Sequence, residues 1–178
     1  MPRKSSKAQP QLIFICGVSG AGKSTVAKAL ADQLNAVFVE GDTLHSAESV
    51  AKMSQGIPLQ EHDRAPWLAR LTLTATQKVA HGYTTVVCFS GLKVAHREKL
   101  MAVHDDVKLV MLAPSEQELK QRLMNRQEHF FDGDLLSSQL AALEMPTATS
   151  NTLVLDDDTT NDLARTLELI TNFVNADN

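Results

Sequence analysis

Short apolar runs alternate along the chain with longer stretches whose apolar positions recur at helical spacing. The runs Leu12–Cys16, Val37–Glu40, 85–89, Val107–Leu112 and Thr152–Leu155 read as strands. Helical stretches begin at Lys23 and after Ser46, and cover 66–81, 94–103, 115–126, 135–143 and 160–174. The strands are continuous Val, Ile and Leu runs rather than half-polar alternations. That pattern predicts an α/β chain whose five-stranded parallel sheet is covered by helices on both faces. Right-handed crossovers are the default for such a sheet, and ligands gather at the carboxyl ends of its strands. With 12–16 at the centre, 85–89 is expected to flank it and Thr152–Leu155 to lie toward an edge. No repeat and no Pro-, Gly- or Ser-rich linker divides the sequence. The expectation is one domain over 11–178, preceded by a disordered tail over 1–10.

Composition narrows the setting. The chain has 178 residues, enough for one domain with a substantial core. Its basic start, Met1 to Lys7, leads into no signal-peptide core, which points to a cytoplasmic protein. No stretch approaches the roughly 18–20 apolar residues that cross a bilayer, so no membrane partner is expected. The two cysteines, Cys16 and Cys88, end apolar runs and read as reduced core residues. A net charge of −4 argues against a nucleic-acid partner while leaving room for a local cationic cleft.

Between the first strand and the first helix stands Gly17-Val18-Ser19-Gly20-Ala21-Gly22-Lys23-Ser24, which fits G-x-x-x-x-G-K-[ST] at every fixed position. Glycines at such a junction let backbone N–H groups turn onto phosphate oxygens, and the helix N-terminus adds partial positive charge. Lys23 would reach the β- and γ-phosphates of ATP and the Ser24 hydroxyl would ligate Mg²⁺, with Thr25 next in the nucleotide-binding run.

Other polar clusters follow strand ends on the same edge. Asp42 closes the second strand, where a carboxylate can take an acceptor's hydroxyl proton, steer Mg²⁺ through water, or simply cap a helix. His45 would sit one turn away. Arg64 lies beside the turn before Pro66 and the only Trp, free to fork onto an anion or to pair with Asp63. Lys93 and Arg97, one helical turn apart, would form a cationic spot at the cleft or a solvated face. Arg122 and Arg126 precede a Gly-containing segment with His129, Phe130 and Phe131, a pattern expected of a helical lid over about 126–146. Asp156 mimics a metal-binding acid, but its strand belongs at the edge. The strand beside the phosphate loop ends in Cys88-Phe89-Ser90 without an acid, which leaves Mg²⁺ to Ser24, phosphates and water.

Together these residues resemble the gluconokinase family of small P-loop kinases, related in architecture to shikimate and nucleoside monophosphate kinases. The resemblance spans Gly17 to Thr25; Gly41-Asp42-x-Leu44-His45; Lys52-Met53-x-x-Gly56-x-Pro58-Leu59 with Asp63-Arg64-x-Pro66-Trp67-Leu68; and Ser90-x-Leu92-Lys93 with Arg97. It continues through Arg122-Leu123-x-x-Arg126-x-x-His129-Phe130-Phe131 and Ser138-Gln139-x-x-x-Leu143-Glu144-x-Pro146. It implies a three-layer P-loop NTPase fold, a homodimer, and transfer of the ATP γ-phosphoryl group to the 6-hydroxyl of D-gluconate. It further implies that Asp42 is base or hydroxyl anchor, and that His45, Arg64, Lys93, Arg97 and His129 hold the sugar acid. Lys23 and Arg126 would spread transition-state charge, and Arg122 would lie against adenine.

Departures from the family pattern concentrate in the acceptor half. Ser46 and Ser49 stand where the family shows Pro and Asn, Val94 where it shows a basic residue, His96 for Tyr and Glu128 for Gly. Two other readings therefore stand beside D-gluconate: a kinase for another small hydroxy acid or polyol, and a regulatory nucleotide-binding protein without catalysis.

Overall fold

A computed structural model describes residues 9–125 and 133–176. Its core is a five-stranded parallel sheet in the order β2-β3-β1-β4-β5, built from β1 Leu12–Cys16, β2 Val37–Glu40, β3 Thr85–Cys88, β4 Val107–Leu112 and β5 Thr152–Leu155. The central strands β1, β3 and β4 are buried at every residue, whereas the outer strands β2 and β5 are only partly covered. That difference is what continuous apolar runs produce when both faces of a sheet are covered and only its edges meet water.

Alternate side chains of each strand enter two separate cores. Ile13 and Ile15 face α1 (Lys23–Leu34), α5 (Glu116–Met124), α6 (Gly133–Ala142) and α8 (Leu163–Asn175). Leu12, Phe14 and Cys16 face α3 (Glu61–Ala80) and α4 (Val94–Met101). Helix α1 buries Val26, Ala27, Leu30 and Ala31, a single face at helical spacing, and ends at Asn35 in the left-handed conformation. The remaining helices, α2 (Ala47–Ser54) and the short α7 (Asp157–Thr160), border the carboxyl edge together with a 3₁₀ turn over Gly41–Leu44.

Among the boundaries that differ from expectation, three have a local cause. Helix α3 starts at Glu61, five residues before Pro66, because Gln60 and Asp63 form a reciprocal capping box. Pro66 therefore lies inside the helix, in its second turn, where its ring forgoes the bond to the His62 carbonyl rather than marking the helix start. The last expected helix is two elements, α7 and α8, with Asp162 capping the second by accepting the Arg165 N–H. Within the span 115–126, the described residues form a helix over Glu116–Met124, capped by Ser115.

Candidate active site

The turn after β1 shapes the centre of the carboxyl edge. Gly20 and Gly22 hold φ of 84° and 91°, and Gly22 occupies the N-cap of α1 with no side chain closing the helix end. The first backbone donors of α1 therefore face the loop, an arrangement that receives anions. Lys23 Nζ donates to the Val18 carbonyl at 2.9 Å and so bridges the loop. Burial pushes the Lys23 amine below its ordinary value, opposed first by Asp42 and then by Cys88, Cys16 and Glu40. An ammonium kept short of counter-charge in this way is suited to meeting phosphate. Ser24 is half-buried and Thr25 exposed, both in the first turn of α1.

Beside Ser24 lies a carboxylate that sequence reasoning overlooked. Cys88 Sγ stands 3.9 Å from Ser24 Oγ and donates to Glu40 Oε1 at 2.9 Å. Burial and then Glu40 push the Cys88 thiol up to about 12, so it stays a neutral donor. No acid ends β3; the carboxylate linked to Ser24 through Cys88 comes from the end of β2, adjacent to Gly41 and Asp42. Ser24 and Glu40 together offer the hard oxygen donors that suit Mg²⁺.

The acceptor side is carried by α3. Trp67 donates its Nε1–H to the Gly41 carbonyl at 2.8 Å and stacks on His45, ring centroids 4.5 Å apart and planes 10° apart. Arg70 Nε donates to the Leu44 carbonyl at 2.7 Å. The 3₁₀ turn carrying Asp42 is thus pinned from both ends to one helix, with the Asp42 carboxylate exposed at the cleft. Arg64 Nη1 pairs with Glu61 at 3.2 Å, and Glu61 also meets His96 Nε2 at 3.1 Å. The alternative partner, Asp63, is instead taken by Lys52 at 2.6 Å. Ser46 and Ser49 bond to each other, Ser46 capping α2, so the two substituted positions are satisfied locally.

Lys93 and Arg97 do not form one cationic spot. Lys93 is exposed at the N-cap of α4, whereas Arg97 is 4% exposed and gives its guanidinium to the carbonyls of Gly91, Leu92 and Glu144. Helical spacing placed them on one face, but the missing carbonyl partners around the loop draw the longer side chain inward. Glu144 also takes the Val94 N–H at 2.6 Å and gives its own N–H to Leu92. The segment after α6 is in this way sewn to the β3–α4 loop. Arg122 likewise bridges elements, bonding Glu118, the Ala21 carbonyl of the phosphate loop, Thr160 and Asn161. Arg126 and His129 lie outside the described residues, as does the first part of the expected lid.

A central parallel strand, a glycine loop capping a helix, and a carboxylate whose charge acts on the loop's lysine define a P-loop phosphotransferase. A family model described as an AAA domain matches residues 12–146. The chain is 44% identical to a gluconokinase of Gluconobacter oxydans (strain 621H) over 138 residues, 78% of each chain. It is 37% identical to the thermosensitive gluconokinase of Escherichia coli (strain K12), covering 79% of this chain and 75% of that one. A crystal structure of a gluconokinase from Sinorhizobium meliloti 1021 superposes with a TM-score of 0.83 at 36% identity, covering 94% and 93% of the two chains. The chain belongs to the gluconokinase family.

Proposed function

We propose that the chain phosphorylates D-gluconate at its 6-hydroxyl with ATP. The observation that carries this reading is Asp42 as the leading counter-charge to Lys23, fixed on a turn that α3 holds against the loop. In the reaction the acceptor hydroxyl oxygen bonds to the γ-phosphorus while the bond to the β–γ bridging oxygen breaks, and Asp42 takes or orients the hydroxyl proton. Lys23 leaves the Val18 carbonyl for phosphate oxygens, and the loop N–H groups hold the rest of the triphosphate. Mg²⁺, held through Ser24 and Glu40, would neutralise developing phosphate charge.

His45, Arg64 and Lys93 hold the sugar acid, and His129 joins them from a lid over about 126–146. Arg97 acts at one remove by fixing the β3–α4 loop. Arg122 braces the adenine side, and Arg126 adds charge over the transferring group. The homodimer is read from the same resemblance, and the single domain and cytoplasmic setting from length and composition.

One observation favours a second reading. Val94 is exposed where the family pattern has a base, and its backbone N–H is occupied by Glu144. One cation fewer suits an acceptor with less negative charge, such as a small polyol. Coupled ADP-release assays on wild type and Asp42→Asn test the proposal. Turnover with D-gluconate that falls by about 10²-fold or more in the variant is expected, while equal rates would refute the role of Asp42.

A further inference from the structure

Among the described residues two side-chain nitrogens are buried without a hydrogen-bond partner, Nδ1 of His45 and Nη2 of Arg70. Both belong to the seam between the 3₁₀ turn and the middle of α3. The rest of each side chain is tied down: Arg70 Nε holds the Leu44 carbonyl, one residue before His45, and the His45 ring lies flat on Trp67. Trp67 is itself anchored to Gly41, so the ring plane cannot swing without breaking a buried bond.

A neutral imidazole carries one donor and one acceptor nitrogen. A proton on Nδ1 would bury an N–H with no acceptor, in the field of an Arg70 guanidinium that has only donors to offer. With the proton on Nε2, Nδ1 presents a lone pair, the form that the nearby Arg70 charge favours. We propose that Arg70 is a positioning residue that fixes His45 as a neutral Nε2–H donor toward the acceptor's oxygens. It acts through His45 and touches no substrate. A fixed donor selects hydroxyl or carboxylate oxygens at that spot, whereas a ring free to exchange tautomers would accept donors as well.

The surrounding charges agree. Burial holds the His45 ring below the ordinary histidine value; Asp42 opposes this, and Arg70 and Arg64 reinforce it. These are the charged groups facing the ring from its own turn and from α3.

The inference rests on the reading of His45 as an acceptor contact, so its test begins without turnover. Nitrogen-detected NMR of histidine-labelled, ligand-free protein is expected to show His45 as the Nε2–H tautomer. In Arg70→Met the ring is expected to sample both tautomers, and the acid limb of kcat/KM for D-gluconate to move up by about 0.5–1 pH unit. The KM for the acid should rise about ten-fold while the KM for ATP stays unchanged. Arg70→Lys, which keeps a cation beside Nδ1, should restore the acid limb. An Nδ1–H tautomer in the wild type, or an acid limb that Arg70→Met leaves in place, overturns the proposal. Absence of D-gluconate turnover in the wild type would refute the proposed function instead, and the tautomer would still decide this one.

Discussion

The side-chain oxygen of Gln139 in α6 accepts the backbone N–H of Ser19 in the phosphate-binding loop at 2.6 Å. A helix within the span expected of the lid thereby touches the loop directly, and Glu144 just after that helix is bonded to the β3–α4 loop. Donor loop, lid and acceptor loop are therefore mechanically joined.

This contact separates loop stability from nucleotide affinity. Gln139→Glu keeps an acceptor for the Ser19 N–H but sets a carboxylate where phosphate must approach. Calorimetric titration should show ATP affinity weakened by at least about ten-fold, an effect of about 1.4 kcal/mol. Thermal unfolding of the ligand-free protein should be unchanged or higher.

Lys23→Met should lower kcat by about 10²–10³-fold through loss of charge on the transferring group. Because burial depresses the Lys23 amine, the unfolded chain binds its proton more readily than the native one. The charged lysine thus costs stability below the ordinary lysine range, and the cost fades as pH rises toward it. Denaturant unfolding should show the variant at least as stable as wild type at neutral pH, with any advantage shrinking in strong alkali.

A Cβ at Gly41 would stand 2.5 Å from the Cys88 carbonyl oxygen and 3.0 Å from the Phe89 Cβ, neither of which can yield cheaply. Gly41→Ala should destabilise by about 2–4 kcal/mol. Since the displaced turn carries Asp42 and His45, KM for the sugar acid should rise far more than KM for ATP in steady-state kinetics.

Arg97→Met strands the Gly91 and Glu144 carbonyls, while Leu92 keeps the Glu144 N–H, and should cost about 3 kcal/mol in chemical denaturation. Lys93→Ala, on an exposed side chain, should leave stability within about 0.5 kcal/mol and instead raise KM for the acid. The reverse pattern would return Arg97 to direct substrate contact.

Acid should loosen the front of α3. The Lys52 bond holds Asp63 below the usual carboxylate range, and the His96 bond does the same for Glu61. Stability from both is complete above that range and lost as pH falls through it. Lys52→Met should flatten part of the acid limb of a stability-against-pH curve.

The sheet, its central strand, β3 beside it and β5 at an edge were legible in the sequence because β1, β3 and β4 are dominated by apolar residues and the glycine loop marks the centre. The donor half of the site follows from one contiguous motif. The acceptor half does not, because its logic lies in contacts between elements. Arg97 shares helical spacing with Lys93, yet unsatisfied carbonyls forty-seven positions away at Glu144 help draw it inward. Glu40 reads as the polar end of an edge strand until Cys88 brings it to Ser24. Arg70 and Gln139 stand at unremarkable helical positions, and only the packing of α3 and α6 gives them partners.

The most direct measurement is the rate of ATP-dependent phosphorylation across D-gluconate, other aldonates, shikimate and nucleoside monophosphates, with the product position read by phosphorus NMR. The expected result is D-gluconate preferred over the other acceptors and phosphorylated at its 6-hydroxyl. No turnover of D-gluconate at millimolar concentration would contradict the account.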